Sequence, residues 1–190
     1  MVTRICSGAL LALLLVLAPA SASAEDVYFS TKALLKNFFK ASKRVTYVKI
    51  DATTNADELR RTLGYVPKKK TYAVFVAKTG DTIDGYAIVD EQMGQHLPIT
   101  FGVKLAADGT VERTEVMVYR EGYGDEIREG RFKRQFVGKS TGDAIALGDD
   151  VVAISGATIS SKSMAIGVKR AVALVALARR QMGTVASARP

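Results

Sequence analysis

The sequence predicts a single α+β domain in which helices pack on an antiparallel sheet of about four strands. Two pairs of β-rich segments, each joined by a short turn, follow one another in the middle of the chain. Segments with the apolar spacing of helices precede and follow these pairs. No repeat or low-complexity linker divides the chain. This grouping of strands and helices is typical of α+β domains.

The region before the strand pairs predicts a helix, a short strand and a second helix. Apolar residues recur at helical spacing over Ser30–Arg44, and its first residue or Thr31 can cap the helix. Thr46–Ile50 is a strand candidate. A shorter helix is expected over Asn55–Leu63, and Gly64 can end it.

The central region predicts two β-hairpins. Their strands are expected at Thr71–Lys78, Thr82–Asp90, Ile99–Leu105 and Thr110–Arg120. The second pair flanks Asp108-Gly109, a dipeptide that strongly favours a hairpin turn. In the last strand the alternation predicts that Glu112, Arg113 and Glu115 face solvent.

Two helices are expected after the sheet. The first covers Asp125–Phe136, with Ile127 and both phenylalanines on its buried side. The second covers Ser161–Met182, is about 33 Å long, and has Gly183 in position to cap its end. Its buried stripe is expected to be Met164, Val168, Val172 and Val175.

Residues 1–24 predict a cleaved signal peptide, which leaves residues 25–190 as the mature domain. Arg4 precedes the apolar run Ala9–Ala20, and Ala22-Ser23-Ala24 offers a cleavage site before Glu25. The alternative is an uncut membrane anchor, although a spanning helix needs ~20 predominantly apolar residues. No second segment is long and apolar enough to span a bilayer. We therefore expect a protein of the periplasm.

Composition excludes several kinds of site. Cys6 is the only cysteine and precedes the expected cleavage point, so the mature chain offers no thiol for disulfides, clusters or thiolate chemistry. His96 is the only histidine, which excludes a multi-histidine metal site and favours a polar residue at a strand entrance. The formal net charge of +8 indicates a solvated face or attraction to acidic lipids and partners. No nucleic-acid-binding motif is present.

The most informative segment is Val151–Met164, where a short apolar run enters a cluster of small residues before the long helix. Gly156 allows a tight turn, and Ala157 adds little bulk. Ser160 or Ser161 can cap the helix, whose N-terminus favours a phosphate beside Thr158. From spacing alone, ordinary helix capping explains the same residues.

The stretch Ser155–Ser161 closely resembles the flavinylation motif of the FMN-binding domain family. This family includes periplasmic subunits of Na⁺-translocating NADH:quinone reductases and of Rnf-type complexes. The resemblance implies that a flavin transferase, which uses FAD, attaches FMN through its phosphate to Thr158. Further segments look like the family in the same order: Gln95–Val103, Tyr119–Glu121, Gly122–Gly124 and Arg131–Lys139.

The resemblance also implies the cofactor-binding residues. They are Thr158, Ser155, Gly156, Ala157, Ser160, Ser161, Glu121, Tyr123 and Gly124. Tyr123 could stack on the flavin ring, or it could, like Tyr119, simply pack at a strand end. Glu121 is either an exposed charge or a group that orients the ring or its tether. Lys162, Lys169 and Arg170 are expected on a solvated helix face.

One position departs from the family pattern. The family usually has an acidic residue three positions before the serine of the motif, and Val152 stands there. Asp149 and Asp150 lie slightly upstream and could substitute for it. The departure bears on how efficiently the transferase modifies the chain, and not on the fold.

The resemblance therefore implies an electron-transfer protein rather than a stand-alone enzyme, with no catalytic residue and no metal of its own. Its expected partners are the flavin transferase and a membrane or periplasmic redox protein. One alternative is a periplasmic module that binds flavin or another anion non-covalently, without electron transfer. Another is a basic exported interaction protein whose motif only caps a helix.

Overall fold

A computed structural model describes residues 25–187, and the predicted signal segment lies outside them. The domain is built on a six-stranded antiparallel sheet with the order β1-β6-β5-β4-β3-β2. The strands are β1 (Asp26–Val27), β2 (Arg44–Asp51), β3 (Thr71–Thr79), β4 (Thr82–Met93), β5 (Pro98–Ala106) and β6 (Val111–Tyr119). The α+β class is confirmed. The sheet has two strands more than predicted, because β1 and β2 join its edges.

Helices cover both faces of the sheet. They are α1 (Thr31–Phe38), α2 (Ala56–Leu63), α3 (Gly130–Arg134) and α4 (Thr158–Ser187), with a 3₁₀ turn at Asp125–Arg128. The larger core lies between α4 and one face, and includes Phe101, Val103 and Val168. A smaller core lies on the other face, where Leu34 and Phe38 of α1 pack. Within residues 25–187, no helix is long and apolar enough to cross a membrane.

The first helix is shorter than predicted. The hydroxyl of Ser30 accepts a hydrogen bond from the N–H of Ala33 at 3.2 Å, which confirms the predicted cap. The helix ends at Phe38 instead of Arg44. The N–H of Lys43 already donates to Lys78 O at 3.1 Å, so sheet pairing captures the segment that the apolar spacing assigned to the helix. For α2, the predicted end at Gly64 is confirmed.

The predicted helix over Asp125–Phe136 is divided in two. Glu129 has an extended ψ of 139° between the 3₁₀ turn and α3. The predicted burial of Ile127, Phe132 and Phe136 is confirmed. Packing against the core therefore fixes these three side chains without a continuous helix.

The long helix begins earlier and ends later than predicted. It spans 30 residues, or about 45 Å, starting at Thr158. Gly183 lies inside it and does not cap it. The predicted stripe of Met164, Val168, Val172 and Val175 is buried.

The prediction that Glu115 faces solvent was wrong. Residues 113–116 pair with β5 without a register shift, so Glu115 lies opposite Gly102 and faces away from the α4 core, as the alternation predicts. The buried Glu115 carboxylate is paired with Lys133 Nζ at 2.5 Å and with Arg113 at 2.7 Å. The face that Glu115 occupies is covered by α1, whose Leu34 and Phe38 pack against Gly102, so the residue is buried and two cations compensate its charge.

Candidate functional site

Three segments meet at one end of the sheet and enclose a cleft of about 220 Å³. One joins β4 to β5, the second follows β6, and the third begins α4. The residues lining the cleft are Gln95, Glu121, Tyr123, Gly124, Gly156, Ala157, Thr158, Ile159 and Ser160.

The N-terminus of α4 points its free backbone donors toward this cleft. The N–H of Ser161 donates to Ala157 O at 2.8 Å, the first hydrogen bond of the helix. The N–H groups of Thr158, Ile159 and Ser160 therefore have no partner within the helix. Together with the helix dipole, these donors favour an anion at this position.

Thr158 is the first residue of α4 and is exposed. In the part of the chain that the structure describes, its hydroxyl makes no hydrogen bond. Gly156, two residues earlier, turns the chain into the helix with a φ of +84°. A side-chain oxygen is therefore presented to solvent beside the positive end of a long helix.

A buried tyrosine ties two walls of the cleft together. The hydroxyl of Tyr119 donates to the carbonyl of Tyr123 at 2.5 Å and lies 2.9 Å from Ser160 Oγ. Since a phenol has one proton to donate, the Ser160 hydroxyl must donate to Tyr119. Gly124 has a φ of +94°, and a Cβ there would lie 2.6 Å from both hydroxyl oxygens. This close approach accounts for a glycine at this point of the turn.

Glu121 fixes the third wall. Its carboxylate accepts hydrogen bonds from the N–H groups of His96 and Leu97, the latter at 3.0 Å. Burial alone would raise the pKa of Glu121, but these bonds and one from the N–H of Gln95 outweigh it and lower the pKa. The charged carboxylate is therefore engaged in holding the loop between β4 and β5.

Most of the predicted cofactor-binding residues lie together in the cleft. Two do not line it: Ser155 and Ser161. Ser161 is buried, and its hydroxyl accepts a hydrogen bond from the N–H of Ile154 at 3.2 Å. The prediction that Ser160 or Ser161 caps the helix was wrong, because both lie inside its first turn.

The predictions omitted Gln95 and Ile159 as lining residues. Gln95 opens a segment that resembles the family, and this position was the available signal. Ile159 lies inside the stretch Ser155–Ser161 that resembles the family's motif, and this was the available signal, although an apolar residue in a first helical turn is usually buried. Tyr123 is 89% exposed, so its ring is free to contact a ligand.

The position where the family usually has an acidic residue is clamped by a glutamine. Val152 is 73% exposed. Its N–H donates to Gln135 Oε1 at 2.8 Å, and its carbonyl accepts from Gln135 Nε2 at 3.0 Å. This pair of bonds fixes the backbone of the loop that leads to the cleft.

The carboxylate of Asp150 is bound to groups that do not line the cleft. Its carboxylate accepts from Lys139 Nζ at 2.6 Å and from the N–H of Ala146 at 2.9 Å. Burial raises its pKa, but these hydrogen bonds more than offset that effect and lower the pKa to about 2. The expectation that Asp150 could substitute for the missing acidic residue therefore loses support.

The solvated face expected for α4 does not include Arg170. This residue is buried and forms an ion pair with buried Asp90, with 2.7 Å between Nε and Oδ2. Its guanidinium also donates to Glu91 O and Gln92 Oε1, both at 2.8 Å. Lys162 is exposed, as predicted. Arg170 thus belongs to a structural cluster away from Thr158.

The three cleft segments fall inside a recognised domain. Residues 94–173 match the model of a family described as the FMN-binding domain. Over these residues the chain is similar to an FMN-binding domain. The match includes β5, β6, the turn after it and the first half of α4.

Solved structures similar to this chain include two bacterial proteins. The first is a component of the Na⁺-translocating NADH-quinone reductase from Parabacteroides distasonis, at 21% identity and a TM-score of 0.48, covering 77% of this chain and 82% of that one. The second is NqrC from Shewanella oneidensis, at 18% identity and a TM-score of 0.49, covering 70% and 80%. No curated protein sequence matches the chain.

The geometry fits the phosphate end of FMN. Nothing lies within 4 Å of the position that a Cβ would take at Gly156, so the approach to the helix N-terminus is open. Pockets that hold a drug-sized ligand usually measure about 300–1,000 Å³, and the cleft of about 220 Å³ is smaller. The cleft can therefore enclose only part of FMN, which leaves the surface beside Tyr123 for the remainder.

Proposed function

We propose that this protein carries FMN in a phosphoester on Thr158 and relays electrons between redox partners outside the cytoplasm. One observation carries the proposal: within the range that is similar to an FMN-binding domain, an exposed threonine hydroxyl without a hydrogen-bond partner in the described structure lies at the N-terminus of α4. A phosphoester requires such a hydroxyl and needs neither a thiol nor an imidazole.

In this proposal FMN is attached to Thr158 by phosphoryl transfer from FAD. Thr158 Oγ1 forms a bond to the FMN phosphorus of FAD, the bond from that phosphorus to the AMP oxygen breaks, and AMP leaves. The hydroxyl proton goes to a base of the flavin transferase. The positive end of α4 and the N–H groups of Ile159 and Ser160 favour the phosphate diester that results.

The chain's own residues then position the cofactor without enclosing it. Flavins exchange one or two electrons reversibly, and the protein supplies their position and electrostatics. Tyr119 and Ser160 hold the turn against α4, and the exposed ring of Tyr123 offers a stacking surface at the mouth of the cleft. A small cleft keeps the ring near solvent, as an electron carrier requires.

Location and partners belong to the same proposal. A signal peptide over residues 1–24 would deliver the domain to the periplasm, with Glu25 as its first residue. Glu25 forms an ion pair with Arg120 at 3.0 Å, next to the turn that lines the cleft. The partners are the FAD-dependent transferase and a membrane or periplasmic redox protein.

One observation favours a second candidate, a module that binds flavin non-covalently and transfers no electrons. Val152 replaces the acidic residue that the family usually has before the motif. The N–H and carbonyl groups of Val152 are both hydrogen-bonded to the side chain of Gln135. If the transferase requires the acidic side chain, the cleft would still bind a phosphate.

The two candidates differ in what survives denaturation. The full chain is produced in a bacterium that exports it and contains a flavin transferase, and flavin fluorescence is measured after denaturing gel electrophoresis. We expect a fluorescent band that Thr158→Ala abolishes, that Thr158→Ser partly retains, and that Ser155→Ala preserves. Flavin that binds the native protein but leaves on denaturation would support the second candidate.

A further inference from the structure

The positive charge of the chain is concentrated in one stretch. Residues 27–50 contain six basic and no acidic residues, a net +6 of the total +8. The basic residues are Lys32, Lys36, Lys40, Lys43, Arg44 and Lys49. This stretch forms α1 and most of β2, which precede the matched FMN-binding range.

The fold places five of these cations on the side of the sheet that α1 covers. Side chains alternate along β2: Ile50 packs into the core beneath α4, whereas Tyr47 contacts Phe75 on the face that α1 covers, with ring centroids 6.5 Å apart. We call the exposed lysines 32, 36, 40, 43 and 49, with Val45 and Tyr47 between them, the basic face.

Cations elsewhere on the α1 side of the sheet are neutralised. Lys104 pairs with Glu112 at 2.6 Å, and Glu115 pairs with both Arg113 and Lys133. The lysines of the basic face form no ion pair within residues 25–187.

The nearest acidic residue in the chain, Asp51, lowers the net charge of this region by one but forms no ion pair with a lysine of the basic face within residues 25–187. The Asp51 carboxylate accepts hydrogen bonds from the N–H and hydroxyl of Thr53 and from the N–H of Thr54. The repulsion among the lysines is therefore left for an external anion to relieve.

Exposed apolar side chains lie among the lysines. Tyr47 is 57% exposed and Val45 is 38% exposed, both on the edge strand β2. Tyrosine is enriched where proteins meet the headgroup region of a bilayer, and lysine stems cover apolar surface while their ammonium groups stay in water. An acidic soluble protein would satisfy the charge but would not need this apolar centre.

We infer that the basic face binds the surface of a bilayer that contains anionic phospholipids. The site is independent of Thr158. It lies on the side of the sheet that α1 covers, whereas Thr158 begins α4, which packs on the opposite side. Its β2 residues are also four strands away from β6. The pairing of Arg44 with Lys78 also puts the start of β2 at the end of the sheet opposite to the cleft. A molecule bound through this face would leave the cleft open to partners.

Vesicle binding tests the inference. The purified full chain is sedimented with vesicles of about 30% phosphatidylglycerol in phosphatidylcholine, or of phosphatidylcholine alone, at about 0.1 M salt, where the Debye length is about 10 Å. The ratio of the two partition coefficients removes any binding by the apolar N-terminal segment. We expect clear preference for the anionic vesicles. Equal binding to both kinds of vesicle would overturn the inference.

A pair of matched variants locates the binding surface. Each lysine near an anionic membrane raises partitioning about fivefold, so Lys36→Glu with Lys43→Glu should lower it at least about 25-fold. Arg131→Glu with Arg134→Glu makes the same charge change on exposed residues of α3 and should have only a small effect. Equal losses in both variants would mean that net charge, and not the basic face, governs binding. Lys36→Gln with Lys43→Gln repeats the test if the reversed pair fails to fold.

Tryptophan fluorescence distinguishes binding to an anionic bilayer from binding to an acidic polypeptide. The chain has no tryptophan, so Tyr47→Trp introduces a single probe at the centre of the basic face. We expect its emission to shift to shorter wavelength with anionic vesicles and to stay unchanged with polyglutamate. A shift with polyglutamate alone would contradict a bilayer and indicate an acidic polypeptide. Because this readout needs no flavin, it is unaffected if Thr158 proves not to be the attachment site.

Discussion

Polar side chains at the cleft are hydrogen-bonded to neighbouring segments, whereas the lysines of the basic face extend into solvent. At the cleft, the hydroxyls of Tyr119 and Ser160 and the carboxylate of Glu121 are engaged in short hydrogen bonds to neighbouring segments. On the basic face, five lysines extend into solvent without an acidic partner in the described part of the chain. The first arrangement fixes distances within a site, whereas the second acts through a field that depends little on geometry.

This difference predicts where substitutions matter. Changes at the cleft should alter stability, because they leave buried polar groups unpaired or force backbone apart. Charge changes on the basic face should leave the fold intact and alter only what the protein binds.

Gly124→Ala should be the most damaging single change. The residue requires a positive φ, and a Cβ would lie 2.6 Å from two hydroxyl oxygens. Backbone strain and overpacking together should lower the free energy of unfolding by about 3 kcal/mol. Gly156→Ala is the matched control: its φ is similarly positive but its Cβ meets nothing, so it should cost about 1 kcal/mol. Equal losses in urea unfolding would refute the crowding argument.

Tyr119→Phe keeps the ring and removes the hydroxyl that joins the two walls. The carbonyl of Tyr123 and the hydroxyl of Ser160 lose a partner, which should cost about 2 kcal/mol. Tyr72→Phe is the control, since this buried tyrosine makes no hydroxyl hydrogen bond in the described structure. Hydrogen exchange should rise at residues 121–124 and 156–161 in the first variant alone. Unchanged exchange there would show that Tyr119 does not join the walls.

Asp150 should give the domain part of its acid sensitivity. Its pKa is lowered from 3.8 to about 2, so the stabilisation is complete above pH about 4 and is lost as the pH falls toward 2. After allowance for its partial exposure, the contribution should be about 1–2 kcal/mol. Asp150→Asn should flatten the stability curve over this range, and the exposed Asp149→Asn should not. If the stability of Asp150→Asn falls between pH about 4 and 2 as much as that of the unmodified protein, Asp150 does not cause the acid sensitivity.

Val152→Asp should have the smallest effect on stability. The side chain is exposed, so the free energy of unfolding should change by less than about 0.5 kcal/mol. If the transferase recognises an acidic side chain at position 152, the fraction of protein that carries covalent flavin should be higher in the variant. Mass spectrometry of the intact protein measures that fraction. An unchanged fraction would show that Gln135 and the clamped backbone suffice.

The parts of the fold that depend on local pattern could be predicted from the sequence. Both hairpins, the burial of Ile127 and the end of α2 at Gly64 follow from alternation, helical spacing and a glycine cap. Features that depend on contacts between distant parts of the sequence could not be predicted. Pairing of β2 with β3 ends α1 early, and the packing of α1 on the second face of the sheet buries Glu115, which pairs with Lys133.

The cleft shows the same division. The motif located Thr158, Gly156 and Ala157 at the right place, because their spacing relative to a helix is local. The role of Tyr119 depends on Ser160, 41 positions away, and that of Glu121 on amides about 25 positions away. Arg170 looks like a surface residue in sequence, since Asp90 is supplied by another element.

Peptide mapping of protein exported in the presence of a flavin transferase tests whether Thr158 carries FMN. Trypsin should release residues 140–162, which contain Thr158 and three other hydroxyl residues of the motif. We predict the mass of this peptide plus FMN, with fragment ions that place the phosphate on Thr158. An unmodified peptide, or FMN on Ser155, Ser160 or Ser161, would contradict it.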